Sequence, residues 1–97
     1  MLNSKQRSNL RGKAMVIDPI FQVGKGGVTD NMVEDISKAL ETRELIKINV
    51  LKNNLDSPAE ILQDLATKLH AEPVCAIGSK IVLYRRSSKK DFEHIVF

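Results

Sequence analysis

Two apolar runs, Val74-Cys75-Ala76-Ile77 and Ile81-Val82-Leu83-Tyr84, meet around Gly78-Ser79. A glycine-first pair between such runs is a hairpin signal. Neither run alternates with polar residues, as a half-solvated strand would. Both therefore need cover on two sides, or burial against helices. A helix suited to that role lies just upstream. Ser57-Pro58-Ala59-Glu60 supplies a serine cap, a proline at the first position and a glutamate three residues after the cap. Ile61, Leu62, Leu65, Ala66 and Leu69 then recur on one face.

The first half of the chain repeats the alternation of helix and strand. Asn3 or Ser4 can cap a helix running to about Ala14, with a thin apolar stripe of Leu2, Gln6, Leu10 and Ala14. Asp18-Pro19 ends that region, because the residue before proline avoids the helical conformation. Ile20 to Val23 reads as a short strand. Thr29 or Asp30 can cap a second helix, with Met32, Val33, Ile36, Ala39 and Leu40 at helical spacing to about Arg43. Leu45 to Leu51 is a strand rich in β-branched residues, and Lys52 to Asp56 is a polar turn. The order is α-β-α-β-α-β-β. Strand–helix–strand units favour parallel pairing through a crossover, and the final hairpin adds an antiparallel pair. The expected fold is α/β: a two-layer sandwich with a mixed four-stranded sheet packed with helices.

At 97 residues the chain suffices for one domain, spanning 1–97. Residues from about 87 form a polar tail that reads as partly flexible, although Phe92, Ile95, Val96 and Phe97 offer apolar groups for docking. No apolar stretch approaches the roughly 20 residues that span a bilayer, and Met1 to Gln6 lacks the apolar core of a signal peptide. A single cysteine, Cys75, forms no internal disulfide and fits a reducing compartment, so a cytoplasmic protein with no membrane partner is expected. Cys75 itself, in an apolar strand, reads as a buried structural thiol.

Gly24-Lys25-Gly26-Gly27 falls between the first strand and the second helix. Glycines there permit positive φ and let a ligand reach the backbone. Exposed N–H groups at a helix N-terminus favour phosphate, and Lys25 adds charge at the tip. A G-x-x-G loop with a basic residue is how KH-type modules clamp single-stranded RNA. The competing reading is a plain turn. A nucleotide P-loop would need Ser or Thr after the lysine, where Gly26 stands, and a dinucleotide fingerprint lacks its last glycine.

Charge is unevenly distributed along the chain, whose net value is +3. Residues 1–27 carry +4, residues 28–72 carry −4 and residues 73–97 carry +3. A fold that joins the two ends would make one face basic, the footprint of a nucleic-acid binder. Arg7 and Arg11, four apart on the first helix, and Lys13 nearby are candidate phosphate contacts. Arg85 and Arg86 beside Tyr84 are others, with Tyr84 either stacking on a base or closing the core. Lys47 and Asn49 alternate with apolar neighbours and face solvent. His70 and His94 lack ligand spacing to Cys75 or to each other, so no metal is expected. Glu34, Asp35 and Asp64 fall on solvated helix faces. No acid–base set converges, so neither catalysis, a cofactor nor a small-molecule substrate is expected.

The chain resembles the CRM domain, and in its free-standing bacterial form the YhbY-like proteins of ribosome maturation. The resemblance rests on Lys5-Gln6 with Leu10-Arg11-Gly12-Lys13-Ala14, then Val23-Gly24-Lys25-Gly26-Gly27-Val28-Thr29-Asp30. Ala39-Leu40 with Glu44-Leu45-Ile46-Lys47-Ile48 follow, then Ile77-Gly78 with Ile81-Val82-Leu83-Tyr84-Arg85. It implies a mixed four-stranded sheet similar to the C-terminal domain of bacterial translation initiation factor three. It also implies RNA binding through the G-x-x-G loop and nearby bases, and association with the precursor of the large ribosomal subunit. Arg43 stands where many such proteins carry histidine, and either side chain reaches a phosphate. Residues 52–56 and the tail after Arg86 match no part of the family pattern. The expected function is ribosomal RNA binding during large-subunit assembly, through Gly24, Lys25, Gly26, Gly27, Arg7, Arg11, Lys13, Arg43 and Arg85. The alternative is a protein-interaction adaptor that docks through its acidic middle and apolar tail.

Overall fold

The structure, a computed structural model, describes residues 2–24, 26–52 and 56–97. Its elements follow the expected order: α1 (Ser4–Ala14), β1 (Phe21–Val23), α2 (Asp30–Arg43), β2 (Leu45–Val50), α3 (Pro58–Leu69), β3 (Glu72–Ile77) and β4 (Lys80–Tyr84). The helix starts are set by local chemistry. The Asn3 side chain accepts the Gln6 N–H at 2.8 Å, and the Gln6 side chain accepts the Asn3 N–H in return. Thr29 caps α2 by accepting from the Met32 N–H, and Ser57 caps α3 by accepting from the Glu60 N–H. Each bond satisfies an amide that the helix itself cannot.

The strands lie in the order β1-β2-β4-β3. β1 pairs in parallel with β2 across the α2 crossover, and β2–β4 and β4–β3 are antiparallel. Alternation along β2 and β4 divides the sheet into two faces. Ile46, Ile48, Val50, Ile81 and Leu83 meet α2 and α3 in the larger core. Leu45, Val82 and Tyr84 point the other way and meet Leu10 and Ala14 of α1 in a smaller one. α2 and α3 thus form the helical layer, while α1 crosses part of the opposite face. Leu65, fully buried among the α3 residues of the larger core, is a test of this packing. Leu65→Ala is expected to cost about 2–5 kcal/mol, read as a lower urea midpoint at unchanged slope.

The hairpin runs differ in their cover. β4 is buried from Ile81 to Tyr84, as its uniform apolar character requires, but Ala76 and Ile77 at the end of β3 are exposed. The strand begins earlier than its apolar run, at Glu72, and contains Pro73. The register shifts between Pro73 and Cys75, so Val74 and Cys75 both join the α1 side. α1 reaches the first half of β3 and leaves the second half bare. Cys75 is consequently half-buried rather than sealed.

Glu44 joins α2 to β2 with a φ of 62°, a left-handed value unusual for a residue with a side chain. It is fully buried. Its carboxylate accepts the Ser87 N–H at 2.6 Å and the Ile95 N–H at 2.8 Å, and His94 Nδ1 lies 2.5 Å away. Glu41 on the same helix receives the Ser88 N–H and hydroxyl, while Ser87 Oγ donates to the Glu41 carbonyl. Phe97 meets Tyr84 edge-on, with centroids 5.0 Å apart. Residues 87–97 therefore run from the end of α2 onto the α1 side of the sheet. Burial pushes the Glu44 carboxyl up, but the Ser87 amide, His94 and the Ile95 amide together hold it below the ordinary glutamate range.

Candidate functional site

Both basic termini arrive on the face that α1 partly covers. Leu2 of the N-terminal segment and Ile95 and Phe97 of the tail pack on the same small core. The acidic middle is placed elsewhere. Glu34 and Asp64 are exposed on α2 and α3, each near a lysine one turn on: Lys38 at 3.9 Å and Lys68 at 3.2 Å. The fold thus sorts charge by layer, with acids outside α2 and α3 and bases around α1.

The uncovered half of the α1 face is built from cross-strand rows. Gln22, Asn49 and Lys80 occupy neighbouring positions on β1, β2 and β4, with Ile77 beside Lys80 on β3. The next row toward α1 holds Lys47, Val82 and Cys75. Asn49 Oδ1 accepts from Lys80 Nζ at 2.9 Å and from Ser79 Oγ at 3.0 Å, which fixes the lysine while leaving its charge unneutralised by that partner. Arg11 and Ala14 of α1 close the near side, so Arg11, Lys47 and Lys80 border one depression. Burial pushes the Cys75 thiol up, and the positive fields of Arg11 and Lys47 oppose that shift. Both cations therefore act on the floor of the depression.

The glycine loop leaves the sheet at the end that carries the Gln22, Asn49 and Lys80 row. Gly24 follows β1, and the Gly27 N–H donates to the Gly24 carbonyl at 2.9 Å, closing a tight turn. Gly27 has φ of 72°, which a side chain would strain. A Cβ on Gly26 or Gly27 would meet nothing within 4 Å, so the turn is open to an approaching ligand. Thr29 caps α2 immediately afterwards. Lys25 lies outside the described residues.

The structure brings some of the remaining candidates together and separates others. Arg7 is half-buried, its Nε donating to the Pro73 carbonyl at 3.2 Å, so it staples α1 to β3. Arg11, one turn on, faces the depression. Lys13 points to the other flank of α1, where it shares a shallow surface with Arg43, Ile17 and Val96. Arg43 ends the 14-residue α2, about 20 Å from the glycine turn at roughly 1.5 Å per residue. Arg85 does not join this face. Its guanidinium donates to the Leu69 carbonyl at 2.9 Å, to the Ser37 carbonyl at 2.8 Å and to Glu41 Oε2 at 3.3 Å, tying β4 to α2 and α3. Tyr84 is buried against Phe97, a core position with no exposed ring face for stacking. Lys80 is the residue that the linear sequence does not single out. Its signal is parity: counting back by twos from Tyr84 and Val82 places it on the α1 side.

Among the described residues, no group of three or more His, Cys, Asp or Glu side chains is arranged to hold a metal ion, and no helix is long and apolar enough to cross a membrane.

The chain is similar to known proteins in sequence and fold. The CRS1/YhbY (CRM) domain model matches residues 2–85. The chain is 47% identical over 89 residues to "Probable RNA-binding protein YqeI" of Bacillus subtilis, covering 92% of this chain and 93% of YqeI. It is 32% identical to a protein of Haemophilus influenzae named "RNA-binding protein", over 91% of this chain and 89% of that one. It is also similar to the solution structure of SAV1595 from Staphylococcus aureus, described as a candidate RNA-binding protein. That match has a TM-score of 0.79 and 49% identity, over 96% of this chain and 98% of SAV1595. With the family model matching from α1 to the end of β4, and the fold and glycine turn in their expected places, the chain belongs to the CRM domain family.

Proposed function

We propose that the protein binds RNA by its phosphate backbone, without making or breaking a bond. The observation that carries this reading is the depression bordered by Arg11, Lys47 and Lys80, with the open glycine turn leaving β1 at the end of the sheet where Lys80 begins β4. They combine an open turn before the N-terminus of α2 with three cations on the sheet face away from the exposed acids of α2 and α3. Such a surface suits the phosphodiester chain, which presents a charge per nucleotide and no fixed sequence. The RNA-binding names of the relatives support the same partner. The finer assignment is ribosomal RNA in the precursor of the large subunit, in the cytoplasm. It follows from the family resemblance, and from a surface suited to holding an RNA conformation by occupancy.

Affinity for a ribosomal RNA fragment, measured against salt, tests the mechanism. A steep negative log–log slope is expected, and a slope near zero sinks phosphate capture. Lys25→Ala is expected to weaken binding to all sequences alike and to reduce the slope by about 1. Crosslinking in cells with sequencing of the bound RNA tests the ribosomal assignment. Recovery of messenger or transfer RNA in place of large-subunit precursor would overturn it.

A further inference from the structure

The depression between α1 and the sheet is more than a charged patch. It is open on one side and holds about 160 Å³, well below the roughly 300–1,000 Å³ of sites for drug-sized ligands. A cavity of about 150 Å³ holds one benzene ring, so this one suits a single flat ring system. Its floor is Cys75, Val82 and Ala14, and its rim includes Met15 and Ile77, which are 72% and 48% exposed. Polar character is confined to Arg11, Lys47 and Lys80, and among the described residues no acidic side chain lines it. An apolar slot edged by cations alone matches a ligand with a flat, weakly polar body and negative charges on either side.

We propose that this pocket takes one unstacked nucleobase of a single-stranded RNA segment, with the flanking phosphates on Arg11, Lys47 and Lys80. The proposal rests on the RNA reading above and adds a base-accepting site to it. Unstacked bases are what single-stranded RNA offers to a protein, and an arginine guanidinium can lie flat against one. The cations needed to hold the backbone already stand on both sides of the slot. The pocket supplies what a backbone clamp lacks, a reason to prefer an unpaired nucleotide over a duplex.

The experiment uses the full chain and two probes of about twelve residues: oligouridylate, and an abasic ribose-phosphate strand of the same length. Affinity is measured for each, together with the rate at which iodoacetamide alkylates Cys75, the chain's single cysteine. Oligouridylate is expected to bind severalfold tighter than the abasic strand, through the apolar area its base buries. It is also expected to slow alkylation severalfold more than the bound abasic strand, whose phosphates act on the thiol only by weakening the fields of Arg11 and Lys47. Cys75→Phe fills the slot and is expected to reduce oligouridylate affinity toward the abasic value. If that variant fails to fold, the protection measurement on the unaltered protein decides. Equal, salt-dependent affinity for both strands overturns the pocket and leaves the phosphate reading standing. Base preference without protection of Cys75 beyond that given by the abasic strand overturns it by placing the base elsewhere. Absence of binding to either strand overturns both readings and leaves the slot to a protein side chain.

Discussion

Glu44→Ala is expected to destabilise the protein by about 3 kcal/mol or more and to release residues 87–97 from the sheet. The carboxylate is fully buried and accepts the Ser87 and Ile95 amides, with His94 Nδ1 at 2.5 Å. Alanine leaves the buried Ser87 amide and the partly buried Ile95 amide without partners, at about 1–3 kcal/mol for a fully buried donor. The measurement is urea unfolding at neutral pH, with backbone resonances of residues 87–97 reporting release. A loss under about 1 kcal/mol would mean that the tail's apolar contacts hold it unaided. Glu44→Gly separates two contributions at this position. It removes the same acceptor but relieves the φ of 62°, so it should be less damaging than alanine.

The same carboxylate gives stability a pH dependence of definite sign. Its folded pKa lies below the unfolded value. Such a group stabilises the fold above its unfolded pKa, about 4.3 for glutamate, and that contribution is lost as pH falls through the folded value. Glu41, lowered by the Ser88 hydroxyl and amide, acts in the same direction. Acid should therefore undock the tail below about pH 4, and Glu44→Gln should flatten the dependence.

The second large effect is on binding. Replacing Arg11, Lys47 and Lys80 together with glutamine is expected to lower affinity for single-stranded RNA about a hundredfold at roughly 0.1 M salt. The salt slope should fall by about 2, at roughly 0.7 for each phosphate no longer neutralised. Lys80→Gln alone should lower it by roughly 0.7. Arg85→Gln provides the contrast. Its guanidinium is engaged by Leu69, Ser37 and Glu41, so its loss should register in unfolding and not in the salt slope. An unchanged slope in the triple variant would remove the open sheet face from the RNA interface.

These residues also show where linear sequence stops being informative. Helix starts were legible because a cap is a local event: Asn3 with Gln6, Thr29 with Met32, Ser57 with Glu60. The mixed sheet was legible because a strand–helix–strand crossover favours parallel pairing and the final hairpin adds an antiparallel pair. The depression was not, because Arg11, Lys47, Cys75 and Lys80 come from four elements and meet only through strand register. Charge alone placed Arg85 with the RNA-binding residues, whereas its parity, one residue beyond Tyr84, turns it toward α2 and α3. Glu44 stood out only as part of a motif. Nothing in its neighbours reveals that residues half a chain later will need its oxygens. The slot at Cys75 arises from a shift between Pro73 and Cys75 that no local pattern announces.

That shift has a second effect, on how copies of the protein behave when crowded. An open sheet has two free borders, and long flat ones invite strands from other chains to add on and start fibres. Here one border is β1, three residues long. The other is β3, where Pro73 has no N–H to offer and the irregular register breaks the flat run of hydrogen-bonding groups. Both borders are thus poor templates for a further strand. Were the proposed RNA binding to gather many molecules on one strand, the sheet of each would stay closed to its neighbours.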